Sequence, residues 1–381
     1  MFRPLLQSTF LMSCLVFSPL QTAQASDLSE LGQLLYFDTN LSKNRTQSCA
    51  TCHDPQAGFV DPRDNGAKKM ASLGDDAQSL GDRQAPTASY AAFSPAFHQT
   101  KDGTYVGGQF WDGRAGTLAD QAGGPPLNPA EMGLASKQEA IARLKENDTY
   151  VESFQALFGK DIFEDVDKAY LKMTEALQAY EQTEEFSPFD SKYDRYLRGE
   201  VKLTDQEELG RILFFSQQFT NCNQCHQLRK LPGAEKETFS NYEYHNIGVP
   251  ANTALRALNG VSATLVDDGL LANPAVKDEA QQGKYKVPTL RNVAVTGPYM
   301  HNGVFQDLRT VVKFYNKYNS RSQPSQINPE SKQPWGEPEV ADTVSLKELE
   351  IGDALNSKRI DALVAFMKTL TDARYEHLLE N

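Results

Sequence analysis

Cys49-Ala50-Thr51-Cys52-His53 and Cys222-Asn223-Gln224-Cys225-His226 are two copies of one pattern, C-x-x-C-H. Two thiols one helical turn apart can add to the two vinyl groups of a single porphyrin. The histidine that follows can then place its imidazole under the iron. A zinc site or a dithiol redox pair is the competing account of one such stretch. Two stretches together use four of the five cysteines, and the fifth, Cys14, lies in a leader. The pattern therefore predicts two covalently bound haem c groups. Cys49, Cys52 and His53 hold the first, and Cys222, Cys225 and His226 hold the second.

Each motif follows the same helical phrase. Glu30-Leu31-Gly32-Gln33-Leu34-Leu35-Tyr36-Phe37 precedes the first, and Glu208-Leu209-Gly210-Arg211-Ile212-Leu213-Phe214-Phe215 the second. This is an internal repeat of amphipathic helices leading into a haem. Helical stripes recur at Val166, Ala169, Met173, Leu177 and Tyr180, and at Ile360, Leu363, Val364, Met367 and Leu370. The chain is thus expected to be mainly α, with two cytochrome c-type helical domains and long loops, each domain wrapping one covalent haem c. Residues 26–185 form the first domain, 186–203 a linker, and 204–381 the second. The Gly/Pro-rich segments 54–135 and 227–305 are too long for plain loops and are expected to wrap the haems. No convincing strand ladder is visible.

Residues 1–25 have the form of a secretory signal peptide. Arg3 is their only charge, an apolar run spans Phe10 to Phe17, and Ala23-Gln24-Ala25 offers a cleavage site. Cys14 gives a weaker match to a lipoprotein cleavage box. No later segment is apolar for the ~18 residues of a membrane span. An exported protein with covalent haem points to the Gram-negative periplasm, with the cell surface as the other address. Loss of Arg3 takes the formal charge from −12 to −13. That acidity argues against nucleic acid and anionic lipid, and would suit a basic protein partner.

Several further motifs occur in a characteristic order. They are Leu41-Ser42 up to the first haem motif, Phe110-Trp111-Asp112-Gly113-Arg114 and Asn128-Pro129-Ala130-Glu131-Met132. Val287-Pro288-Thr289-Leu290-Arg291-Asn292-Val293-Ala294, Pro298-Tyr299-Met300-His301-Asn302-Gly303 and Phe314-Tyr315-Asn316 complete the set. In these the chain resembles the bacterial dihaem cytochrome c peroxidase family, and within it the MauG branch, over almost its whole mature length.

The resemblance implies two unequal irons. In typical members a histidine from the loop after the first motif closes that haem. Residues 54–97 contain no histidine, so an open face for hydrogen peroxide is expected over the His53 haem, with His98 or Met70 as the competing fillers. At the second haem the branch replaces a methionine ligand by tyrosine, which matches Tyr315. An anionic phenolate lowers the potential and favours high-valent iron, whereas a thioether does the reverse. The alternative is a core Tyr315 with Met300 or Met367 as ligand. Trp111, Gln121, Pro125 and Glu131 match the branch's residues between the haems. Trp111 is the expected relay and Glu131 the acid/base that moves a proton during O–O cleavage. Gln121 would orient peroxide, and Pro125 would shape the pocket wall.

The family also holds Ca2+ between the haems, for which Gln84, Thr296 and Pro298 match the ligands. Glutamine replaces the usual asparagine there, which a flexible oxygen-seeking ion accepts. Arg83, Arg291 and Lys286 are candidates to pair with haem propionates. His245 and His301 are expected in structural or propionate hydrogen bonds. Two residues before the second motif MauG has a surface tryptophan, and this chain has Thr220. Trp335 is the other tryptophan, with a packed loop aromatic as the favoured role and an electron exit as the alternative. The function implied is peroxide-driven formation of a high-valent two-haem state that oxidises an aromatic side chain of a partner protein. The alternatives are a scavenging peroxidase fed by a small cytochrome or cupredoxin, and a non-enzymatic electron-transfer dihaem cytochrome.

Overall fold

The carboxylate of Asp27 accepts from the amides of Ser29 and Glu30 and so starts α1 (Leu28–Tyr36). The structure, a computed structural model, describes residues 27–228, 231 and 233–380, so the expected leader lies outside the described residues. After α1 come α2 (Cys49–Cys52), α3 (Leu118–Ala122), α4 (Lys137–Leu144), α5 (Asp148–Phe158) and α6 (Val166–Glu181). The chain continues through α7 (Lys192–Leu197), α8 (Asp205–Phe214), α9 (Thr253–Asn259), α10 (Leu308–Asn316), α11 (Leu346–Leu349) and α12 (Ser357–Lys368). The fold is mainly helical. Strands are two residues long: β1 (His98–Gln99) pairs antiparallel with β2 (Tyr105–Val106), and β3 (Tyr244–His245) with β4 (Tyr285–Lys286). Among the described residues no helix is long and apolar enough to cross a membrane.

Two apolar cores repeat one design. Leu31, Leu35 and Tyr36 of α1 meet Met173, Leu177 and Tyr180 of α6 in the first. Leu213 and Phe214 of α8 meet Leu363, Phe366 and Met367 of α12 in the second. Each helix pair crosses at a glycine. A Cβ on Gly32 would lie 1.9 Å from the Ala176 carbonyl oxygen, and a Cβ on Gly210 1.9 Å from that of Ala362. Backbone cannot swing aside as a side chain can, so the helices would have to part. Gly32→Ala and Gly210→Ala are each expected to destabilise by about 1–3 kcal/mol, the usual range for overpacking. Chemical denaturation checks this, and a change below about 0.5 kcal/mol would show that the helices separate freely.

Within residues 186–203, expected as a linker, the stretch 186–197 packs against both cores. Phe186 belongs to the first core and Tyr193 to the second. Asp194 forms a two-point ion pair with Arg291, at 2.5 and 2.9 Å, with both side chains buried. The C-terminal segment then returns across the molecule. The Tyr90 hydroxyl donates to Asp372 at 2.6 Å, and the Tyr375 hydroxyl donates to the Pro55 carbonyl at 2.8 Å, two residues beyond His53.

Candidate active site

A cavity of about 250 Å³ opens in front of the second motif, with Cys222, Cys225 and His226 in its wall. Nδ1 of His226 lies 3.2 Å from the Phe239 carbonyl oxygen. A carbonyl can only accept, so Nδ1 carries the hydrogen and the Nε2 lone pair is left for a metal. Phe239 presents that carbonyl from a left-handed turn, φ +56°, anchored by its fully buried ring. Burial pushes His226 down to about 4, which keeps the imidazole neutral as ligation requires.

Tyr315 of α10 lines the same cavity. Burial pushes its phenol well above the ordinary range, and Cys225 and Cys222 are the next largest influences on it. A bound cation inverts this effect and favours the phenolate. Met300 and Met367 share the wall, so both sulfur alternatives face the cavity too.

The β3–β4 pair brings His245, Tyr285 and Lys286 to the cavity, where Trp111 and His301 meet them. Nε2 of His301 is buried without a hydrogen-bond partner, and Nε2 of His245 lies 3.6 Å from the Glu243 carboxylate. Buried polar atoms are normally satisfied. An orphaned His301 nitrogen in a largely apolar wall fits a flat group that carries acceptor oxygens, as haem does. The Lys286 ammonium, pushed down to about 7 by burial, donates to the Gly108 carbonyl at the same edge. Trp111 donates Nε1–H to the Gln84 carbonyl at 2.8 Å, and Gln84 N–H donates to the His301 carbonyl at 2.8 Å. One chain of hydrogen bonds thus fixes the indole against the cavity.

The first motif is built alike. The Ser48 and Thr51 side chains cap α2, which carries Cys49 and Cys52. Nδ1 of His53 lies 3.2 Å from the carbonyl of Phe59, φ +57°, whose ring stacks on Phe186 at 4.1 Å. The Tyr36 hydroxyl donates to the His53 carbonyl at 2.9 Å. Burial lowers His53 and pushes Cys49 up to about 12 and Cys52 up to about 11, and both cysteines also feel the charge of Glu131. Pro125 starts a tight turn in which Met132 N–H donates back to the Pro125 carbonyl at 3.2 Å. That closure sets Pro125 and Glu131 side by side. Burial raises the Glu131 carboxyl, while the Arg114 charge and Asn128 draw it back. Gln121 stands just upstream on α3.

Residues 26–202 match the family described as di-haem cytochrome c peroxidase. The chain is 56% identical over 361 residues to methylamine utilization protein MauG of Paracoccus denitrificans, across 94% of this chain and 92% of that one. The chain belongs to the dihaem cytochrome c peroxidase and MauG family. This dihaem peroxidase is also 35% identical over 289 residues to cytochrome c peroxidase Ccp of Escherichia coli, across 76% of this chain and 52% of that one. The crystal structure of the diheme peroxidase BthA from Burkholderia thailandensis superposes with a TM-score of 0.79 at 31% identity, across 93% of this chain and 88% of that one. The protein is thus a peroxidase-type oxidoreductase with two haem groups.

Some other residues of the dihaem peroxidase fall differently from expectation, and others as expected. Arg291 is spent on Asp194, and Arg83 on Asp267 and Asp112, so of the three cations matched to propionates only Lys286 lines the cavity. Buried guanidinium groups need carboxylates, and the chain supplies its own. Met70 takes a hydrogen bond from Asn252 to its sulfur at 3.1 Å, and His98 lies exposed on β1. Trp335 packs edge-on against Phe305 and Phe314 and donates to the Ser325 carbonyl at 2.8 Å, a packed loop aromatic. Thr220 lines the second cavity. Among the described residues no group of three or more His, Cys, Asp or Glu is placed to hold a metal. The Phe59 and Phe239 carbonyls that orient the two histidines left no signal in the sequence, because any residue carries a carbonyl.

Proposed function

We propose that this dihaem peroxidase uses hydrogen peroxide to oxidise an aromatic side chain of a partner protein, in the manner its likeness to MauG suggests. The observation that carries the proposal is the placement of Tyr315 on the cavity wall that also holds His226. The two haems, attached through Cys49 and Cys52 and through Cys222 and Cys225, supply the redox chemistry when bound. His53 and His226 each present Nε2 to one iron because a backbone carbonyl holds the other nitrogen. Tyr315 would hold the second iron through its phenolic oxygen, and His53 would hold the first, which would supply the reactivity toward peroxide. Gln121 orients the peroxide, Pro125 shapes the wall, and Glu131 moves the proton from the near to the leaving oxygen. Trp111, held rigid by the Gln84 carbonyl, relays oxidising equivalents toward the second site. Gln84, Thr296 and Pro298 would hold a Ca2+ ion through oxygen donors. The chain is exported after cleavage at residue 25, and 26–185 and 204–381 act as two haem domains.

A scavenging peroxidase fed by a small redox protein is the second reading. Met300 and Met367 favour it, because either would provide a sulfur ligand. Electron paramagnetic resonance of the ferric protein separates the two. With Tyr315 as ligand, Tyr315→Phe is expected to abolish the low-spin signal of the second haem and leave the high-spin signal of the first unchanged. An unaltered low-spin signal would assign the ligand to sulfur and favour scavenging.

A further inference from the structure

Glu181, the last residue of α6, is buried, only 7% exposed. The repeat locates it. Gly32, Ala176 and Tyr180 pack in the first half as Gly210, Ala362 and Phe366 pack in the second, with the same 1.9 Å approach at each glycine. One residue further along, Glu181 corresponds to Met367. Met367 lines the cavity in front of His226. Glu181 must therefore face the first motif, and its charge acts on Cys49 and on Tyr36.

A structural role accounts poorly for this carboxyl. Among the described residues no group hydrogen-bonds it. It also sits at the C-terminal end of a helix, where the dipole opposes negative charge. Methionine does the packing at the equivalent place. Burial alone pushes Glu181 up to about 8. The titratable groups facing it are Cys49, which thioether formation would remove from titration, and Tyr36, which burial raises far above its ordinary range. Charged groups on the other helices packed on α6 are engaged elsewhere: Lys137 with Asp167, Arg143 with Glu139, and Asp120 with Thr117.

We infer that Glu181 is a redox-linked proton acceptor of the first haem site, protonated beside ferrous iron and ionised beside ferric iron. When that haem loses one electron to a one-electron outer-sphere oxidant such as ferricyanide, the Glu181 carboxyl O–H bond would break and its proton would pass to solvent. Charge balance is the reason: oxidation adds one positive charge in a dry site, and the carboxylate offsets it. The inference rests on attachment of the first haem by Cys49, Cys52 and His53.

The test is a spectroelectrochemical titration of the first haem in the full dihaem protein from about pH 6 to 9. In the wild type the potential should fall as pH rises, approaching about 59 mV per tenfold change in proton concentration for a one-electron couple. Glu181→Gln should flatten the slope, and so should Glu181→Met, which copies the second half and serves if the amide folds poorly. Glu131→Gln should keep it. A wild-type slope in both Glu181 variants overturns the inference, as does a slope lost only in Glu131→Gln. Haem counting on the same samples by pyridine haemochrome reports attachment separately, so a missing first haem is distinguished from a missing proton.

Discussion

Replacing Glu131 by glutamine is expected to slow the reaction with peroxide by about 10²–10⁴-fold, the usual contribution of a positioned acid/base. The amide keeps the size of the carboxyl and its contact with Asn128, so the turn from Pro125 to Met132 should survive. What it loses is the ability to take a proton from one peroxide oxygen and give it to the other. Burial raises the Glu131 carboxyl above the ordinary glutamate range. A base must be ionised to act, so the wild-type rate should rise as pH climbs through that raised value and level off above it. The glutamine variant should show no such rise. Rapid mixing of peroxide with the ferric protein at a series of pH values measures both. A variant within about threefold of the wild type would remove Glu131 from the proposed chemistry.

Asp194→Ala should cost about 3–5 kcal/mol, because it leaves a charged guanidinium buried without its carboxylate. Arg291 is only 1% exposed, and its planar group packs over the rings of Tyr90, Phe189 and Phe239. No water can replace the lost partner there. Phe239 is also the residue whose carbonyl orients His226, so the damage should extend to the second haem as a broadened or shifted low-spin spectrum. Removing both charges with Asp194→Leu and Arg291→Met should cost much less than the single change, since desolvation no longer has to be offset. Chemical denaturation of the haem-loaded protein tests this. A loss under about 1 kcal/mol for Asp194→Ala would mean that the arginine finds water or another carboxylate.

Tyr36 and Tyr180 show how far the sequence could be followed. Their helices were legible because burial of one helical face repeats every three to four residues, and the phrase around Gly32 recurs around Gly210. The same register, carried one residue past Tyr180 and Phe366, would have paired Glu181 with Met367. Glu131 and Tyr315 were legible only through likeness to relatives, since a carboxyl in a loop and a tyrosine on a helix are ordinary by themselves. The packed state of residues 186–197 was not legible, because Phe186 and Tyr193 are too sparse to show a period.

By itself the sequence determined what is covalent or local: two C-x-x-C-H motifs, the amphipathic helices before them, and the acidic balance of the chain. Only the tertiary structure decided which charge meets which. It gave Arg291 to Asp194 and Arg83 to Asp112 and Asp267, left Lys286 at the second cavity, and aimed the Phe59 and Phe239 carbonyls at the two histidines. The reason is physical. A motif is fixed by bonds and spacing along the chain, whereas the partner of a buried charge or a backbone carbonyl depends on how the chain turns, whether six residues on, as from His53 to Phe59, or 97 residues away, as from Arg291 to Asp194.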